Sequence, residues 1–138
     1  MLKMSSLLGF AAGFFATLTL HQGALAALYA AGVVPMVPFN MAPTWPLGVP
    51  QVISLAFWGG VWGILLHPLL KTRRGVAYWG GWVALGALGP TVVSLLVVFP
   101  LKGIEVTPVM LPVGLLFNGL WGLGCAVFLS MFKRLGYQ

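Results

Sequence analysis

The chain has 138 residues, enough for one domain, with 60% of them apolar and only 6% charged. An ordinary soluble domain carries about 25% charged residues, so composition excludes that class. The net charge is +6, yet the basic residues sit beside apolar runs without a nucleic-acid motif. They serve as topology determinants that favour anionic lipid headgroups.

The predicted fold is all-α: an integral membrane four-helix bundle forming a single transmembrane domain over residues 1–138. The helices are expected at about residues 5–31, 51–70, 76–99 and 113–132, each near the ~20 residues that span a hydrocarbon core. Length and the need to satisfy backbone polar groups inside lipid select helix over strand. Lys3 precedes the first run, Lys71, Arg73 and Arg74 lie between the second and third, and Lys133 and Arg134 follow the fourth. Only Lys102 lies elsewhere, near the sole acid, Glu105. This asymmetry predicts cytoplasmic N- and C-termini in a plasma (inner) membrane.

Lys3, the apolar run after it and Ala24-Leu25-Ala26 together resemble a signal peptide with a small-residue cleavage site. It stays apolar through Ala31, so an uncleaved helix is expected. Small and polar residues recur along it at every fourth position: Ser5, Gly9, Gly13, Thr17 and His21. Such a row lets helix backbones approach closely.

A proline-rich outer connection, residues 32–50, follows. It is apolar as well, and is expected to fold as a stiff cap on the outer mouth with Trp45 at headgroup level. The second helix carries Trp58-Gly59-Gly60-Val61-Trp62-Gly63. The short basic turn after it should make the second and third helices antiparallel neighbours. Tyr78, Trp79 and Trp82 are expected to form an inner aromatic belt. Pro90 in the third helix frees the Gly86 carbonyl, which another group must satisfy. A second proline-rich outer connection, residues 100–112, leads to the fourth helix.

That helix carries Phe117-Asn118-Gly119-Leu120-Trp121-Gly122, which matches the pattern of the second and hints at a 2+2 repeat. It has its own row of small residues: Gly114, Asn118, Gly122, Ala126 and Ser130. Gly9, Gly13, Gly59, Gly63 and Gly122 are the expected helix-packing positions, within the chain or between subunits.

By helical rise, His21 stands about 24 Å above Ser5 and Asn118 about 21 Å above Phe132. Thr91 and Ser54 fall at similar height. His21, Gln22, Ser54, Thr91 and Asn118 therefore form the candidate ligand-binding or transport layer, with His21 and Asn118 able to meet if their helices adjoin. An intramembrane ionisable residue marks a functional hypothesis by default. Trp58, Trp62 and Trp121 lie inside the span and form a second candidate set, for stacking a flat hydrophobic ligand. His67 belongs at the inner headgroup level. It should lie nearly 18 Å from His21 along the membrane normal, too far for both to ligate one haem.

No residue is assigned a catalytic or metal-ligating role, and no cofactor is named. The membrane segments hold no carboxylate, and the chain has no general-acid/base pair or His-carboxylate set. The sequence points to a non-catalytic small multi-pass membrane protein, an accessory or hydrophobic-ligand-binding subunit of a homo- or hetero-oligomeric assembly. The alternative is a passive channel or small transporter for an uncharged solute through the outer polar layer. The expected partners are a bilayer with anionic cytoplasmic headgroups and other copies or membrane subunits, not nucleic acid.

Overall fold

The computed structural model describes residues 3–137. Four helices are long and apolar enough to cross a membrane: α1 (Met4–Ala30), α2 (Gln51–Leu70), α3 (Gly75–Leu101) and α4 (Met110–Arg134). They form the expected all-α bundle, with the connection between α2 and α3 at the same end as the start of α1 and the end of α4.

Three helix ends lie two or more residues beyond their expected positions, among them the end of α4 at Arg134. α4 starts at Met110 and takes in Pro112, because the first helical turn has no partner for the missing amide hydrogen. α3 continues through Pro100 to Leu101. It stops where Gly103 turns to φ +69°. Gly103 and Ile104 then donate to the carbonyls of Pro100 and Phe99 at 3.0 and 2.9 Å. α1 ends the same way at Gly32, with Val33 donating to Leu28, and α4 at Gly136, with Tyr137 donating to Phe132. A glycine carries each left-handed turn because it has no Cβ to clash, and the paired bonds satisfy the last carbonyls.

Residues 32–50 fold back onto the bundle only in part. Val34 packs with Leu25 and Phe117. The Phe39 amide donates to the Gln22 side-chain oxygen at 2.7 Å. Beyond it lies a small antiparallel hairpin absent from the sequence expectations, β1 (Pro43–Thr44) against β2 (Val49–Pro50). Its tip is open, with Trp45 93% exposed.

Packing follows the two small-residue rows. Ser5, Gly9, Gly13 and Thr17 of α1 face α2; Gly114, Asn118, Gly122, Ala126 and Ser130 of α4 face α3. The two closest approaches repeat each other. A Cβ on Gly63 would stand 2.9 Å from the Gly9 carbonyl carbon and 3.3 Å from Gly13 Cα. A Cβ on Gly122 would stand 3.0 Å from the Trp82 carbonyl carbon and 3.3 Å from Gly86 Cα. The α1–α2 and α3–α4 pairs thus use one backbone-to-backbone geometry, in accord with the 2+2 pattern of the sequence. Each first helix also carries a π turn past its contact, at Thr17–His21 in α1 and Ser94–Val98 in α3.

The two pairs join mainly along α1 and α4. α2 and α3 pack more loosely than their short connection implied. Their glycine faces point at α1 and α4, so the turn tethers their ends without bringing their backbones together. Trp62 and Leu70 reach over Gly89 and Gly81 to bridge them. The central core comprises Ala12, Ala16, Leu66, Leu70, Trp82, Trp121, Cys125, Ala126 and Leu129. Trp82 is fully buried there, so it belongs to the core and not to the aromatic belt expected from the sequence.

Candidate functional site

The polar residues in the half of the bundle near the proline-rich connections divide between two faces of α4. On one face, Asn118 donates to the Thr91 hydroxyl of α3 at 2.9 Å. On the other, the His21 ring of α1 packs on Phe117, centroid to centroid 5.6 Å. The hydrogen-bond partner of Asn118 is therefore Thr91, not His21. The Gln22 amide nitrogen lies 3.3 Å from His21 Nδ1, while its oxygen holds the Phe39 amide. Ser54 forms no side-chain hydrogen bond with these groups among the described residues. Gln22 and Thr91 are buried, and each is hydrogen-bonded within the chain.

The π turn explains why His21 departs from the row that begins at Ser5. Through Thr17 the row faces α2, and the Thr17 hydroxyl donates to the Gly13 carbonyl at 2.9 Å. The wider turn over the next residues re-aims the following side chain toward α4.

The three tryptophans are also separated. Trp121 is buried and donates from Nε1 to the Gly13 carbonyl at 3.0 Å. Trp62 lies against Gly89 at the α2–α3 seam. Trp58 is 58% exposed on the outer surface of α2. They do not line one slot for a flat ligand.

A cavity of about 520 Å³ opens at the basic end instead, bounded by all four helices. This is within the ~300–1,000 Å³ range of ligand sites. Ser5, Leu8, His67, Tyr78, Leu129 and Ser130 form its inner wall. Lys71, Thr72, Arg73, Arg74, Lys133 and Tyr137 form its exposed rim.

The inner polar groups are positioned by the helix pairs. His67 Nδ1 lies 2.9 Å from the Ser5 carbonyl and 3.3 Å from the Ser5 hydroxyl. Because a carbonyl only accepts, Nδ1 carries the hydrogen, and Nε2 is left for another partner. The Tyr78 hydroxyl donates to the Ala126 carbonyl at 2.9 Å, and Ser130 donates to Tyr78 over a long 3.5 Å. Ser5 and Ser130 are the basic-end members of the two small-residue rows. Their spacing signalled close packing, but the shared cavity depends on convergence of both helix pairs.

Among the described residues, no three of His, Cys, Asp and Glu gather as a metal site. Compared with protein-family models, curated proteins and solved structures, the chain matches none of them.

Proposed function

We propose that this multi-pass membrane protein is a non-catalytic binding subunit whose ligand occupies the basic-end cavity, on the cytoplasmic side of the plasma (inner) membrane. The supporting observation is the cavity itself: hydroxyl and imidazole groups from all four helices converge beneath a polar rim. The polar groups of the opposite half give less support to a solute path, because Asn118–Thr91 and Gln22–Phe39 are closed pairs on different faces. The glycine faces contact one another within the chain, so they supply no separate argument for oligomer contacts.

The test is to purify the protein in mild detergent and identify retained small molecules by native mass spectrometry. Ser130→Phe, which fills the cavity, should abolish retention of a specific molecule while leaving a folded, monodisperse protein. Retention unaffected by the filled cavity, or no specific species in either sample, would refute the proposal.

A further inference from the structure

We propose that the basic-end cavity recognises a phosphate-bearing anion, carried by a lipid headgroup or by a soluble phosphate ester. This inference rests on the assignment of the cavity as a binding site and names the chemical class of its occupant.

Charge supplies the first argument. Four of the seven basic residues, Lys71, Arg73, Arg74 and Lys133, line this one cavity. The chain's single acidic side chain, Glu105, lies in the connection between α3 and α4 at the opposite end. No side-chain carboxylate therefore neutralises the four cations. Lys71 and Lys133 lie at or beside helix C-termini, where a cation complements the helix dipole. That explanation fails for Arg73 and Arg74, which stand just before the N-terminus of α3. Cations at the positive end of a helix are unfavourable, and an anion there offsets both the guanidinium charges and the dipole. The α3 N-terminus has no side-chain cap, and its first residue, Gly75, lines the cavity.

Hydrogen-bonding groups and membrane depth supply the second argument. A phosphate has several strong acceptor oxygens and is well matched by guanidinium forks and hydroxyl donors. Ser5 places a hydroxyl on the inner wall beneath the cationic rim. The cations directly adjoin the ends of the apolar spans, where a bilayer crossed by those spans has its headgroups. Basic pockets between transmembrane helices at this level suit phosphate-bearing headgroups.

The experiment has two probe arms. Protein in phosphatidylcholine nanodiscs, with or without phosphatidylglycerol, is analysed by native mass spectrometry. Delipidated protein in detergent is titrated with inorganic pyrophosphate. Selective retention of phosphatidylglycerol assigns the lipid source; binding of pyrophosphate alone assigns the soluble source. In either case Arg73→Gln/Arg74→Gln should weaken binding about 25-fold, at roughly fivefold per cation. Lys102→Gln at the opposite end should not change it.

Equal retention of phosphatidylcholine and phosphatidylglycerol without pyrophosphate binding overturns the inference, as does binding unchanged in the double variant. If that variant fails to assemble, the wild type decides the matter: anion binding insensitive to added salt overturns it. An uncharged molecule displaced by Ser130→Phe but retained by the double variant would preserve the binding site and eliminate its phosphate specificity. Anion retention that follows the arginines but ignores Ser130→Phe would place the anion on the surface and overturn both proposals.

Discussion

The indole N–H of Trp121 on α4 donates to the Gly13 carbonyl of α1 at 3.0 Å, linking positions 108 residues apart. The same oxygen accepts the Thr17 hydroxyl where the π turn begins. One carbonyl therefore connects the closest approach of the first helix pair to its seam with the second. Trp82, by contrast, is buried with no partner for Nε1 among the described residues.

These two indoles should respond differently to the same substitution. Trp121→Phe removes a made intramembrane bond, worth about 0.6 kcal/mol on average and up to about 1.7. Trp82→Phe removes an unpaired donor whose burial costs about 1–3 kcal/mol, which offsets lost ring contacts. Reversible unfolding in mixed micelles should find Trp82→Phe the milder change. The opposite order would assign Trp82 Nε1 an unseen partner.

The glycine contacts divide by location. A Cβ on Gly13 or Gly122 would enter the backbone of the facing helix, so Gly13→Ala and Gly122→Ala should lower the thermal midpoint or prevent assembly. Gly23 and Gly80 have open space where a Cβ would stand. Alanine there should be neutral or stabilising by up to about 1 kcal/mol, through helix propensity. Four variants with equal stability would contradict the close approaches.

A double-mutant cycle tests the polar partners. Asn118→Leu and Thr91→Val should show coupling of about 0.6–1.7 kcal/mol, the range for intramembrane hydrogen bonds. Asn118→Leu and His21→Phe should be additive within about 0.5 kcal/mol, because they share no bond. Strong coupling of the second pair would restore the partnership expected from depth alone.

Gln22 ties the long connection to α1 through the Phe39 amide. Phe39 has φ +51°, a conformation that costs a non-glycine residue about 1–3 kcal/mol and needs support. Gln22→Leu should speed hydrogen exchange around Phe39 while leaving the α1–α2 contact protected. Exchange identical to wild type would remove this latch from the description.

Orientation can be tested on a Cys125→Ala background. A cysteine at Gly75 should resist a membrane-impermeant thiol reagent in intact cells, whereas one at Thr44 should react. This expectation follows from the basic residues flanking the α2–α3 turn. The reverse pattern would move the cavity to the outer face.

Sequence by itself determined the four spans and their small-residue rows, because these depend on local quantities. Apolar run length must match the bilayer, whereas the structure moved the ends of α3 and α4 outward to the left-handed turns at Gly103 and Gly136. The matching pattern around Gly63 and Gly122 likewise anticipated two similar helix pairs. Depth placed His21 beside Asn118, but depth says nothing of direction around a helix axis. The π turn at Thr17–His21 re-aimed His21 toward Phe117, while Asn118 faced Thr91. The basic-end cavity was equally nonlocal: Ser5, His67, Tyr78 and Ser130 converge only after glycine contacts set each helix pair and the α1–α4 seam joins them. Tertiary structure decided these partners because they depend on helix azimuth and convergence, which no single run of residues carries.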